Sequence, residues 1–137
     1  FVAWSPKKVL AWCAYSAAWW NDPVSTDVGP PGIVVCGELD GPRYMASLDY
    51  FKKGRQLRKP WTWISLPKTG HEISADLDDF VQSYFTALLL NRKQPGEWRD
   101  ITTKKTLSAN EAEQYPSLSC WLPNQSVADA WMQLHEP

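Results

Sequence analysis

Val34–Asp40 reads VVCGELD and Leu66–Ile73 reads LPKTGHEI. In each, an apolar run stops abruptly in a short polar turn that carries one chemically versatile side chain, Asp40 or His71. Apolar runs of this kind suit strands covered on both faces, as in a parallel sheet, where alternation is absent. In open parallel sheets, ligands gather at the carboxyl ends of the strands. Both turns therefore fall on the same rim, and an acid and a histidine meeting there form two members of a charge-relay triad.

The flanking sequence supports this layout. Ile33–Cys36 (IVVC) reads as one buried strand and Gly37–Gly41 as its turn. Pro42 suits the first position of a helix, whose apolar stripe is Tyr44, Met45, Leu48 and Phe51. Trp61–Leu66 (WTWISL), aromatic and β-branched, is a further strand, with Trp61 and Trp63 sharing one core-facing side. After the His71 loop, Ser74 can cap a helix whose first turns carry Asp76, Asp78 and Asp79, charges that complement the positive end of the dipole. Leu77, Phe80, Val81, Tyr84, Phe85, Leu88 and Leu89 then keep the 3.6-residue period until Pro95-Gly96. Upstream, Val9–Tyr15 (VLAWCAY) is a nearly continuous apolar strand. Phe1–Trp4 reads as the last turn of a helix that Ser5-Pro6 ends. Residues 16–31, with their prolines and the Trp19-Trp20 pair, read as a loop. The alternation of strands and helices predicts a parallel α/β domain over residues 1–97.

Residues 98–137 differ in tone. They read as an irregular, polar extension packed on the domain, with a capping box at Ser108 and Glu111 and a last helix from about Gln125. Val127, Ala130, Trp131 and Leu134 share one face of that helix, and Trp121 and Trp131 are expected to pin the extension down.

Composition excludes several classes of function. A net charge of −1 gives no electrostatic case for nucleic acid. No apolar stretch approaches the twenty or so residues of a membrane span. Cys13, Cys36 and Cys120 are scattered without CxxC spacing, which argues against a zinc site. The sequence implies no metal and no cofactor. Cys13 and Cys36, inside strands, read as small buried hydrophobes. Nine tryptophans suggest a large apolar payload, a ligand-facing surface, or both.

VVCGELD, then LPKTGHEI, then an amphipathic helix, resembles the final part of an α/β-hydrolase-fold serine hydrolase. The resemblance covers roughly residues 1–91. In that family the triad runs nucleophile, acid, histidine along the chain. The resemblance implies three parallel strands from the carboxyl-terminal half of the sheet, with Asp40 as acid and His71 as base. Val9–Tyr15 would be the strand after the nucleophile helix, and the Gly-x-Ser-x-Gly elbow would lie shortly before Phe1. The short link over residues 16–31 leaves little room for a lid domain. It looks more like the lidless esterases, among them dienelactone-hydrolase-like and polyhydroxybutyrate-depolymerase-like enzymes, acting on small or polymeric esters. The chain alone, without its nucleophile, would then be inactive.

Plain readings stand beside these. Asp40 can be a turn aspartate bonding backbone donors, with Glu38 as an alternative acid. His71 can be a loop histidine bonded to a carbonyl. Ser16 ends a strand, but no long helix opens after it, so it reads as lining the pocket or bonding backbone instead of as the nucleophile. Trp19 and Trp20 could wall a substrate pocket or pack in the core. Glu72 and Asp49 read as solvated charges and Met45 as core. A second functional reading is a non-catalytic binding protein, either a hydrolase-like fold without its serine or a tryptophan-rich carbohydrate-binding module.

Overall fold

The computed structural model describes residues 2–24 and 27–136. Three parallel strands, β1 (Trp12–Tyr15), β2 (Gly32–Gly37) and β3 (Trp61–Leu66), lie side by side in that order. Trp12 registers with Gly32 and Gly32 with Trp61, so the three strands start in line; β1 stops at Tyr15 opposite Val35, while β2 and β3 run on together to Gly37 and Leu66. Helix α1 (Pro42–Gln56) joins β2 to β3, and α2 (Ala75–Leu90) follows β3. The α/β class read from the sequence is the observed one.

Side-chain alternation on β3 shows how the helices share the sheet. Trp61 and Trp63 face α1: the Trp63 ring lies 5.6 Å from Tyr44 and 5.9 Å from Phe51, and Trp61 lies 4.9 Å from Tyr50. Thr62 points the other way: its hydroxyl donates to the Trp121 carbonyl and lies 3.3 Å from the Tyr84 hydroxyl of α2. All of β2 and β3 is buried, as the unbroken apolar runs require. Helix α2 starts where expected, with the Ser74 hydroxyl accepting from the Leu77 amide at 3.2 Å.

Several sequence expectations need correction. β1 is shorter than Val9–Tyr15, and it is an edge strand with Cys13 exposed. Met45 is also exposed, because α1 turns Tyr44, Leu48 and Phe51 inward and leaves position 45 outside. Residues 2–4 form a turn and Pro6–Lys8 a single 3-10 turn; Phe1 lies outside the described residues.

The extension is not irregular. β4 (Glu97–Asp100), β5 (Thr106–Leu107) and β6 (Ser119–Leu122) form an antiparallel sheet in the order β5-β4-β6, with α3 (Ala109–Gln114) between β5 and β6 and α4 (Gln125–Gln133) last. Its first strand starts at Glu97, just inside the expected boundary. The Ser108–Glu111 capping box opens α3 as read. This sheet shares one apolar core with the parallel sheet, through Cys120, Trp121, Leu122, Val127 and Trp131.

Two features weld the units together. Arg55 of α1 is buried and donates to the Ser119 carbonyl at 2.8 Å, to the Ser119 hydroxyl at 3.2 Å and to the Lys59 carbonyl, with Trp98 lying 4.5 Å from its guanidinium. On the side of β3 away from β2, Trp131 donates to the Trp63 carbonyl at 2.7 Å and the Ser65 amide donates to His135 at 3.3 Å. That edge is thereby closed to further strand pairing. No helix among the described residues is long and apolar enough to cross a membrane.

Candidate functional site

The turn after β2 and the loop after β3 meet at the carboxyl rim of the sheet. The Glu38 amide donates to the Leu66 carbonyl at 3.1 Å and the Leu39 amide to the Thr69 carbonyl at 2.9 Å. Gly37 permits this contact. A Cβ there would stand 2.2 Å from the Gly70 oxygen and 2.3 Å from the Thr69 oxygen, both backbone atoms. Gly41 just beyond the turn has a φ of 59°, a conformation that glycine adopts without penalty.

Asp40 and His71 meet where these segments cross. His71 Nδ1 lies 2.9 Å from Asp40 Oδ2. Since an ionised carboxylate only accepts, Nδ1 carries the proton, and in the neutral ring Nε2 keeps its lone pair. Among the described residues Nε2 has no hydrogen-bond partner, and the His71 side chain is 62% exposed against 6% for Asp40. The pair thus has a sheltered acid and an open base.

Asp40 is held ionised. The hydrogen bond from His71 does most to keep its carboxyl below the usual range; burial opposes this, and the Ser16 hydroxyl and the Arg43 guanidinium assist. Arg43 Nη1 stands 3.5 Å from Asp40 Oδ1. Behind the carboxylate lies Cys36, whose Sγ is 3.8 Å from Oδ2. Burial pushes the Cys36 thiol up, so it remains a donor. Ser16 Oγ touches Cys36 Sγ at 3.4 Å.

Ser16 thus sits against the acid of the pair, its hydroxyl bonded to Asp40 and in contact with Cys36. It is 3% exposed and has a φ of 45°, in the left-handed region where a serine costs on the order of 1 kcal/mol. The alternative acid, Glu38, accepts instead from the Ser65 hydroxyl at 3.1 Å. Glu72 is exposed as expected, and the Gly70 amide keeps its carboxyl low.

The tryptophans lie elsewhere. Trp20 stacks on Tyr50 of α1 at 4.1 Å and its indole donates to the Ser47 hydroxyl. Trp19 is 91% exposed. With Trp4, Trp12, Tyr50 and Trp61 they line a recess of about 520 Å³. Trp12 and Trp61 are the first residues of their strands, so this recess opens toward the amino end of the sheet. Among the described residues neither Trp19 nor Trp20 has a hydrogen bond or ring contact to Asp40 or His71; Trp20 reaches the surroundings of Asp40 through Ser47, which in turn bonds Cys36.

Three participants escaped the sequence reading: Cys36, Gly37 and Arg43. Gly37 carried a signal, as a glycine between an apolar strand and an acidic turn; the others look like ordinary strand and helix residues. Among the described residues no group of three or more histidine, cysteine or acidic side chains is placed to hold a metal ion. No protein-family model matches the chain, and searches of curated proteins and of solved structures found no match either.

Proposed function

We propose that this chain supplies the acid and the base of a serine hydrolase acting on ester-type bonds. The observation that carries the reading is the 2.9 Å contact between a sheltered carboxylate and an imidazole whose other nitrogen is open. Support comes from the parallel order β1-β2-β3, with acid and histidine each following a strand. The resemblance to the carboxyl-terminal part of lidless α/β-hydrolase esterases gives the same roles. In this reading a serine outside residues 1–137 attacks the ester carbonyl. His71 Nε2 takes its proton and returns it to the leaving alcohol, while Asp40 fixes the tautomer and stabilises the imidazolium without itself being protonated. Donors for the oxyanion would also lie outside these residues.

The test is hydrolysis of p-nitrophenyl acyl esters by the full-length protein. His71→Ala should lower kcat by at least about 10³-fold, with KM little changed. Ester turnover that survives His71→Ala contradicts the reading.

The aromatic recess favours a second reading, a non-catalytic protein that binds sugar or aryl groups. Trp19, at 91% exposure, and Trp4, at 79%, are unusually open for tryptophan. Under that reading wild-type protein shows no ester turnover, and a soluble glycan or aryl ligand quenches tryptophan fluorescence.

A further inference from the structure

We propose that Tyr15, the last residue of β1, is a positioning residue for His71. Its hydroxyl donates to the Glu72 carbonyl and stands 3.4 Å from the Gly70 carbonyl, the two residues that flank the histidine. Its ring lies 6.1 Å from the imidazole, tilted by 37°. One side chain from the first strand thus contacts three consecutive residues of the loop after the third strand.

The loop needs such a tether. Up to Thr69 it is fastened to the acid turn through Leu39, and from Ser74 onward it is fixed by the cap of α2. Among the described residues, the hydrogen bonds that reach residues 70–73 from outside the loop come from Tyr15 and Asp40. With His71 mostly exposed, packing contributes little to its placement. The Asp40 bond alone would leave the ring free to swing about one contact. Tyr15 fixes the backbone on both sides and so sets where Nε2 points. Burial, helped by the charges of Asp40 and Glu72, pushes the Tyr15 phenol above its ordinary range, which keeps it a donor. Tyr15 bonds the loop backbone and not the imidazole nitrogens, so it acts through His71 and not on a substrate.

The inference rests on the hydrolase reading only for its effect on turnover. Tyr15→Phe keeps the ring and removes the hydroxyl. In the full-length protein, backbone order parameters of residues 70–73 should fall from about 0.85 toward 0.6 or below, with those of α1 unchanged. The low-field Nδ1–H resonance of His71 should broaden or vanish. In the full-length protein kcat should fall about tenfold with KM unchanged. Unchanged order parameters together with an unchanged Nδ1–H resonance overturn the proposal. Should the variant fail to fold, the wild type decides: a nuclear Overhauser contact between the Tyr15 and His71 rings is expected, and its absence overturns the proposal. Failure of the hydrolase reading shows separately, as a wild type without turnover, and leaves the order-parameter result standing.

Discussion

Gly37→Ala tests how closely the acid turn and the histidine loop must approach. Gly37 is not among the glycines with positive φ, so alanine would fit the backbone and the obstacle is space. Its Cβ would stand 2.2 Å from one carbonyl oxygen and 2.3 Å from another, where ordinary contact begins near 3.4 Å. Backbone oxygens cannot rotate away, so the His71 loop must retreat by roughly 1 Å. Adding that to the present 2.9 Å takes the Asp40–His71 contact to about 4 Å, beyond hydrogen-bond range. Overpacking of this kind costs about 1–3 kcal/mol in stability. A misplacement of about 1 Å in a catalytic group costs on the order of 10²-fold in rate. Urea unfolding of the full-length protein measures the first quantity, the Nδ1–H resonance reports the lost bond, and ester hydrolysis measures the second. A variant within about 0.5 kcal/mol of wild type that keeps the resonance would refute the reasoning.

Three further outcomes are expected. Arg55→Ala removes a buried cation that holds the Ser119 carbonyl and hydroxyl, and should destabilise by roughly 3 kcal/mol in urea unfolding because those acceptors are left buried. Trp131→Phe leaves the Trp63 carbonyl without its indole donor and should cost about 1 kcal/mol, with the ring contacts largely kept. His135 accepts from the Ser65 amide and donates to the Trp131 carbonyl, so only the neutral ring fits; burial first, and then Lys104, push its pKa down to about 4. A depressed histidine makes the unfolded chain the better proton binder between about 4 and 6.5. Stability should therefore be full above pH 6.5 and fall by about 3 kcal/mol as pH drops to 4. His135→Gln should flatten that slope in urea titrations at a series of pH values.

The parallel half of the fold was legible because burial on both faces leaves a plain mark. Val34–Cys36 and Trp61–Ile64 lie fully inside, and a strand in that position has few polar residues to spare. The long α2 carried both its period and its cap. The antiparallel sheet was hidden for the opposite reason. β5 has two residues, and β4 reads EWRD with only Arg99 buried, so neither shows an apolar alternation long enough to notice. Its stability comes from β6, from Arg55 and from Trp131, contacts between residues far apart in the chain. Cys13 was misjudged because β1 has apolar residues without a neighbouring strand on one side among the described residues. Asp40 and His71 were legible as a pair because each follows a strand of one parallel sheet. What the sequence could not show was their support: Tyr15 reaches the His71 loop across 55 and 57 positions of chain, and the fold alone makes them neighbours.

Fluorophosphonate labelling of the full-length protein, followed by peptide mapping, decides whether Asp40 and His71 serve a serine. The expected label sits on a serine outside residues 1–137 and is lost in His71→Ala. Label on Ser16, or labelling indifferent to His71, contradicts the proposed division of roles.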